Sequence, residues 1–196
     1  LELERHYRRL LRYMETHESP GFITELYAPK NPDSITPDDR VFYTRRNAVY
    51  LDTARQTIDL LPEEVRPYFI APLLAEASVH TNTSGVFKGF YKDRHGVGKF
   101  GGTAGNALSR ILGDISLPFP VFSRFNCRFS IHCRDANELA AELPEMDVVY
   151  LDPPYNQHPY GSNYFMLNLL SSYEKPAETS RVSGIPADWK RSTYNS

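Results

Sequence analysis

The chain has 196 residues, of which 41% are hydrophobic, a proportion typical of a packed globular protein and not of a disordered chain. No run of about 18 apolar residues occurs, so no transmembrane helix is expected. The net charge of −2 gives no overall bias towards nucleic acid.

The first element predicted from the sequence is a helix over residues 3–17, where apolar and aromatic residues recur at helical spacing. Ser19-Pro20-Gly21 should end this helix, because proline and glycine interrupt the helical pattern. Residues 20–40 are rich in Pro, Asn and Asp, which predicts a loop.

Two further helices are predicted before residue 81. Thr44 is a suitable N-cap for a helix over residues 45–61. A second helix is predicted over 63–80, with Pro67 obscuring where it starts. Asp52 follows an apolar triplet, as a ribose-binding acid at a strand end would. Because it falls within a predicted helix, we expect it to be a surface residue instead.

The middle of the chain is basic and rich in glycine. Eight basic residues stand against two acidic ones in residues 81–134, whereas residues 135–150 hold five acidic residues and no basic ones. Residues 85–105 contain seven glycines and are predicted to be irregular or hairpin-like, and a short helix follows over 104–111. Basic residues interleaved with aromatics suit contact with DNA phosphates, with a solvated loop as the alternative. The candidates for this contact are Lys88, Tyr91, Lys92, Arg94 and Lys99.

The last third of the chain contains a strand–helix–strand pattern. Residues 125–132 alternate as a strand does, residues 136–143 form a short predicted helix, and 147–151 are typical of a strand buried in a parallel sheet. A βαβ unit joins parallel strands in this way, so the predicted fold class is α/β with a parallel sheet. Asp135 opens the helix, where its carboxylate is a candidate N-cap.

The two cysteines, Cys127 and Cys133, are expected to be reduced. Six residues of extended strand separate their Cα atoms by about 20 Å, whereas a disulfide needs less than about 7 Å. This spacing does not suit a zinc site either, so no metal is expected. Reduced thiols and an N-terminus without a signal-peptide core favour a cytoplasmic location.

The predicted strand 147–151 leads directly into Asp152-Pro153-Pro154-Tyr155. In open α/β sheets, ligands bind outside the carboxyl ends of the strands, so the active site is expected at this loop. The two prolines stiffen the turn, which suits a loop that must hold a reacting group in place. The alternative is a rigid proline turn that ends a strand, with the tyrosine covering the core.

The stretch 148–156, Val-Val-Tyr-Leu-Asp-Pro-Pro-Tyr-Asn, resembles the catalytic motif of amino-methyltransferases in the form used by Dam-like DNA adenine methyltransferases. Residues 157–164, 42–47 and 85–91 are also similar to segments of that class, so the resemblance covers roughly residues 42–170. It implies part of a Rossmann-like methyltransferase sheet with a mostly helical, loop-rich DNA-recognition insertion.

The resemblance also implies a division of the chain into three regions. Residues 1–80 would form a helical region that links the cofactor half to the recognition region. Residues 81–122 would be the DNA-recognition insertion, and residues 123–196 the catalytic α/β part.

The implied cofactor is S-adenosylmethionine, and the implied partner is double-stranded DNA with a flipped adenine. Asp152 and the Pro153 carbonyl would accept the two N–H bonds of the adenine amino group, on a loop stiffened by Pro154, and Tyr155 would stack on the base. Asp135 and Asp152 are implied on the cofactor side. A base pocket is expected to use Asn156, Ser162, Asn163 and Tyr164, although such residues are also common in turns.

The expected activity is therefore site-specific methylation of adenine N6 in DNA, with a restriction–modification system as one setting. RNA adenine or cytosine-N4 methylation and a catalytically incomplete nucleic-acid-binding fragment stay as alternatives. The family pattern places a glycine-rich cofactor turn ahead of the region covered here, and no such turn precedes Asp152. We therefore expect the chain to begin after the cofactor half.

Overall fold

The computed structural model describes residues 2–102, 104–152 and 159–191, and its regular elements are helices. Helices α1, α2 and α4 pack against α3, and α8 packs against α4 and α7. None of the described helices combines the length and the apolar character that a membrane span requires. In chain order the elements are α1 (Glu2–Thr16), α2 (Phe22–Tyr27), α3 (Arg45–Ile58), a 3₁₀ turn (Glu63–Val65), α4 (Pro67–Val79), α5 (Leu108–Leu112), α6 (Ala136–Glu142), α7 (Tyr160–Asn163) and α8 (Phe165–Ser172).

Helix α1 confirms the first predicted helix and is amphipathic. Leu10 is buried, and the other apolar residues of the same stripe pack partly buried against the core. Tyr7 lies parallel to Phe69 of α4 with ring centroids 6.2 Å apart, and its hydroxyl donates a 2.9 Å hydrogen bond to the Leu117 carbonyl. These contacts fix one face of α1 to the core and leave the opposite face exposed.

Helix α3 is the central element, and its start confirms the predicted cap. The Thr44 hydroxyl accepts a 3.1 Å hydrogen bond from the amide of Asn47, which satisfies one donor of the first turn. Ala48, Leu51 and Ile58 are fully buried, as their helical spacing predicts. The helix therefore presents apolar residues to several neighbours at once.

The expectation that Asp52 lies on the surface was wrong. It is in a helix, but its side chain is fully buried. Its carboxylate accepts hydrogen bonds from the amides of Gly21 (2.8 Å), Ile23 (3.2 Å) and Thr24 (2.8 Å). The hydroxyls of Thr24 (2.6 Å) and Tyr173 (2.7 Å) donate to it as well. A buried carboxylate is tolerated here because five donors replace its water, and it serves as the N-terminal cap of α2.

Two other helical boundaries differ from the predictions. Helix α2 lies within the predicted loop 20–40. Its six residues are too few to show a helical repeat, and the Pro- and Asn-rich stretch only follows it. The predicted helix 63–80 is divided into the 3₁₀ turn and α4, which begins at Pro67. Proline suits the first turn of a helix, since its missing N–H would have no partner there.

An aromatic cluster joins distant parts of the chain around Phe42. Its ring lies 5.9 Å from those of Tyr27 and Phe165, 6.4 Å from Phe87 and 5.1 Å from Phe90. Aromatic pairs of this kind contribute about 0.5–1.5 kcal/mol each beyond the burial of their area. The cluster thereby packs the glycine-rich segment and α8 against the same helical core.

The predicted α/β fold class was wrong for the part of the chain that the structure describes, which contains no β-sheet. Only two isolated antiparallel bridges occur there, Lys92 with Gly98 and Thr179 with Pro186. The predicted strands 125–132 and 147–151 form neither a strand nor a β-bridge, and Phe125 and Val148 are 86% and 83% exposed. An apolar run favours extended backbone, but a strand also requires a hydrogen-bonded neighbour and a covered face, and neither is present.

Candidate active site and DNA-contacting segment

The residues of the candidate catalytic loop lie partly outside the described structure. Asp152 ends an irregular segment that begins at residue 147, and it is exposed, so an approaching group can reach the carboxylate. Pro153, Pro154, Tyr155 and Asn156 lie outside the described residues. The structure therefore shows the entry to the loop and the element that follows it.

Helix α7 (Tyr160–Asn163) is the first described helix after the candidate loop. The Pro159 carbonyl accepts hydrogen bonds from the amides of Ser162 (3.2 Å) and Asn163 (3.0 Å) and from the Ser162 hydroxyl (3.1 Å). Ser162 and Asn163 are buried, whereas Tyr164 is 39% exposed and makes an edge contact with Tyr160 at 5.9 Å. Of the three predicted base-pocket residues described here, Tyr164 is the one with an accessible side chain.

Gly161 in α7 allows a close approach of the C-terminal segment. A Cβ atom at this position would collide with the Lys190 carbonyl oxygen and lie 2.9 Å from Cε3 of Trp189. Only glycine leaves room for that contact without a shift of the backbone. The segment around Trp189 thus packs against the helix that follows the catalytic loop.

The basic candidates sit on a tight turn, which we name the basic hairpin (residues 88–99). Asp93 organises the turn: its carboxylate accepts from the amides of His95 (2.8 Å) and Val97 (3.0 Å), and its own amide donates to the Val97 carbonyl at 2.8 Å. The hydrogen bond from Val97, with a smaller contribution from that of His95, lowers the pKa of Asp93. Gly96 completes the turn with a φ of 80°, a conformation that favours glycine.

Asn82 is a structural clamp that the sequence analysis missed. It is fully buried, and its amide nitrogen donates to the carbonyls of Val41 (2.8 Å) and Lys99 (2.9 Å). Its backbone carbonyl accepts from the amide of Tyr91 at 3.2 Å, and its side-chain Oδ1 accepts from the amide of Gly101 at 3.3 Å, so Asn82 contacts both arms of the basic hairpin. No local pattern distinguishes Asn82 from a turn residue, because its partners are distant in sequence.

The predicted DNA-contacting side chains project from this hairpin. Lys88, Lys92 and Arg94 are exposed, whereas Tyr91 and Lys99 are half-buried. The Lys92 ammonium lies 4.9 Å from the centroid of the Phe90 ring, which orients the charge. Lys88, Phe90 and Tyr91 line one side of a shallow groove of about 320 Å³. The hairpin therefore offers the mixture of positive charge and aromatic surface that the sequence predicted.

Asp135 lies at the N-terminus of α6, as predicted. Its Oδ1 atom accepts hydrogen bonds from the amides of Asn137 (2.8 Å) and Glu138 (3.4 Å). Arg134 beside it forms a bidentate ion pair with Glu142 at 2.6 and 2.7 Å, which spans the short helix. The local role of Asp135 as an N-cap is thus confirmed.

The structure brings one pair of predicted regions together. The amide of Phe87, next to the basic hairpin, donates a 2.7 Å hydrogen bond to the Asn163 carbonyl in α7. Phe87 also makes an edge contact with Phe165 of α8 at 6.5 Å. The residue before the hairpin and the helix after the candidate loop are therefore hydrogen-bonded to each other, whereas Asp135 is exposed.

Comparison with known proteins identifies relatives along the whole chain. The type II methyltransferase M.CviAII of Paramecium bursaria Chlorella virus 1 is 32% identical over 182 residues, which cover 89% of this chain and 47% of the viral protein. M.NlaIII of Neisseria lactamica is 28% identical over 142 residues, covering 69% of this chain and 38% of the relative. M.FokI of Planomicrobium okeanokoites is 27% identical over 194 residues, which cover 94% of this chain and 27% of the relative.

The chain spans about half the length of M.CviAII and less of the other two relatives. No solved structure matches it. The family model described as D12 class N6 adenine-specific DNA methyltransferase matches residues 13–189, a range that includes Asp152, α7 and the basic hairpin. Because this match covers most of its length, the chain belongs to that family of adenine-specific DNA methyltransferases.

Proposed function

We propose that this protein transfers a methyl group from S-adenosylmethionine to the N6 amino group of adenine at a specific site in double-stranded DNA. The observation that carries the proposal is the family match over residues 13–189, which contains the Asp152 motif. Relatives named as type II methyltransferases support a restriction–modification setting. We further propose that the protein acts in the cytoplasm, where DNA and the methyl donor are available to it.

Asp152 is proposed as the residue that prepares the amino group. The lone pair of an adenine amino group is delocalised into the ring, which makes the nitrogen a poor nucleophile. A carboxylate at Asp152 and the carbonyl of Pro153 would accept its two N–H bonds and favour the pyramidal, nucleophilic form. Tyr155 would stack on the flipped base and repay part of the unstacking cost of a few kcal/mol.

Asp135 is proposed to contact the adenine amino group of the cofactor, alongside Asp152. The geometry fits this role, because both cap hydrogen bonds fall on Oδ1 and leave Oδ2 as an acceptor. The side chain is also exposed, so a ligand can reach it. When bound, S-adenosylmethionine supplies an electrophilic methyl group. The residues of this chain would position the amino group and the cofactor relative to each other.

DNA is proposed to contact the basic hairpin and the surface of α7. Lys88, Lys92 and Arg94 are exposed and suited to phosphates, with Tyr91 and Lys99 at the base of the hairpin. Tyr164 is the accessible residue beside the loop. Ser162 and Asn163, which are buried, would shape the base pocket through the backbone of α7, and Asn156 would complete it.

A division of labour along the chain is part of the proposal. Residues 1–80 would provide the helical support, residues 81–122 the DNA recognition, and residues 123–196 the catalytic loop. The hydrogen bond between Phe87 and Asn163 supports a direct mechanical connection between recognition and catalysis.

The decisive experiment supplies tritiated S-adenosylmethionine to the intact protein with unmethylated bacterial DNA and, in parallel, with bacterial RNA, followed by mass analysis of the nucleosides. Binding of the same DNA is measured alongside. Asp152→Ala is the test variant. Asp147→Ala is the matched control, because Asp147 is an exposed acid five residues earlier in the same segment. We expect N6-methyladenine from the wild type and the control. The rate of methyl transfer should fall by at least about a thousandfold in Asp152→Ala.

Other outcomes would overturn the proposal in distinct ways. N4-methylcytosine as the product would reassign the base, and labelling of RNA alone would reassign the nucleic acid. DNA binding without methyl transfer in the wild type would identify a nucleic-acid-binding protein instead. Equal activity of the Asp152→Ala variant and the wild type would remove Asp152 from the catalytic site.

A further inference from the structure

Helix α1 carries an arginine face that none of the roles above uses. Arg5, Arg8, Arg9 and Arg12 recur at intervals of three and four residues, which places them on one side of the helix, and all are exposed. Together with Glu4 they line a shallow concave surface of about 500 Å³. All four arginines precede residue 13, where the family match begins. The face therefore lies just outside the matched residues.

The four arginines differ in how far their charge is neutralised. Arg5 pairs with Glu2 at 3.5 Å and Arg8 pairs with Glu4 at 2.5 Å, both on the exposed surface. Among the described residues, Arg9 and Arg12 have no carboxylate within ion-pair distance. Two guanidinium groups one helical turn apart are thus available to an external anion.

We propose that the arginine face of α1, through Arg9 and Arg12, binds the phosphate backbone of the substrate DNA outside the catalytic site. This inference rests on the proposed function, since it requires DNA as the substrate. The planar guanidinium group matches the geometry of a phosphate, and arginine is the preferred residue for such contacts. The seven helical steps from Arg5 to Arg12 span about 10 Å, which corresponds to about three phosphates of one strand along B-DNA.

The rigidity of α1 supports this role. Leu10, on the opposite side of the helix, is buried, and Tyr7 is held by both Phe69 and the Leu117 carbonyl. A face on a fixed helix loses less conformational freedom on binding than one on a loop, which favours affinity. An acidic protein partner would meet the same charges, and the test separates it from DNA.

The test measures binding of a fluorescent DNA duplex by the intact protein at several salt concentrations. The variant is Arg9→Gln/Arg12→Gln. The control, Lys30→Gln/Lys175→Gln, removes the same charge from two exposed residues elsewhere. Each phosphate contact adds about 0.9 to the slope of log K against log salt, so we expect the slope of the arginine variant to fall by about 1.8. The Kd at about 0.1 M salt should rise at least tenfold, whereas the control should stay within twofold.

The inference is overturned if the slope of the arginine variant matches that of the wild type, or if the control weakens binding equally. It is also overturned if Arg9→Gln/Arg12→Gln changes the oligomeric state or binding to another protein but leaves DNA binding unchanged. Failure of the proposed function would give a different result. If the salt slopes of the wild type and the arginine variant differ as expected but the wild type transfers no methyl group, the arginine contact with DNA stands and the proposed methyltransferase activity is rejected.

Discussion

Asp52→Asn tests whether the buried carboxylate holds the fold together as its hydrogen bonds indicate. Oδ1 accepts from the Ile23 amide and the Tyr173 hydroxyl, and Oδ2 accepts from the amides of Gly21 and Thr24 and the Thr24 hydroxyl. Asparagine replaces one of these oxygens with an NH₂ group, which cannot accept. Either orientation of the side-chain amide therefore breaks two or three hydrogen bonds, and its NH₂ group then faces N–H or O–H groups that are themselves donors.

The expected loss of stability follows from this count. A hydrogen bond to a charged group contributes about 1.5–3 kcal/mol, and buried donors left unpaired add to the cost. Two or three such losses predict a decrease of at least about 3 kcal/mol in the free energy of unfolding. For a chain of this size that corresponds to a Tm lower by at least roughly 6 °C.

Urea denaturation followed by circular dichroism measures this effect, and Asp38→Asn is the control. Asp38 is exposed, so the same chemical change there should cost less than about 0.5 kcal/mol. Burial raises the pKa of Tyr173, and the hydrogen bond to Asp52 raises it further, so the hydroxyl remains a donor throughout the accessible pH range. Tyr173→Phe removes one hydrogen bond to the Asp52 carboxylate and should therefore cost about 1.5–3 kcal/mol by itself. A loss below about 1 kcal/mol for Asp52→Asn would refute the assigned role of the carboxylate.

Three further predictions concern other parts of the fold. Gly161→Ala should lower the free energy of unfolding by about 1–3 kcal/mol through overpacking, whereas Gly89→Ala, which has open space for a Cβ atom, should leave thermal stability nearly unchanged. Burial alone would raise the pKa of Asp39, but hydrogen bonds from two backbone amides and a hydroxyl outweigh it and lower the pKa. The ionised Asp39 side chain therefore stabilises the fold fully above its ordinary pKa of 3.8, and this contribution is lost as the pH falls through the lowered native pKa. The free energy of unfolding should consequently fall less steeply with decreasing pH in Asp39→Asn than in the wild type. Asn82→Ala should weaken DNA binding and cost about 2 kcal/mol in chemical denaturation, and equal behaviour of the exposed-site variant Asn106→Ala would contradict the clamp.

The sequence predicted helices α1, α3 and α4 because their apolar spacing and the Thr44 cap are local signals. It also identified the Asp152 motif, which is a contiguous pattern. It failed for the strands, since pairing depends on neighbours that a local apolar run does not specify. The burial of Asp52 and the clamp at Asn82 were missed for the same reason, because their partners come from remote segments and no residue pattern near them records the contact.

The close contact at Gly161 provides the protein with a built-in optical reporter. Trp189 is the one tryptophan in the sequence, and it packs against Gly161 with the Arg191 guanidinium 4.9 Å from its ring. Indole emission is sensitive to solvent access and to a nearby charge, and excitation at the red edge of the absorption band separates it from the tyrosines. A shift in this emission on addition of DNA or S-adenosylmethionine would therefore follow the movement of α7, directly beside the catalytic loop, without an attached label.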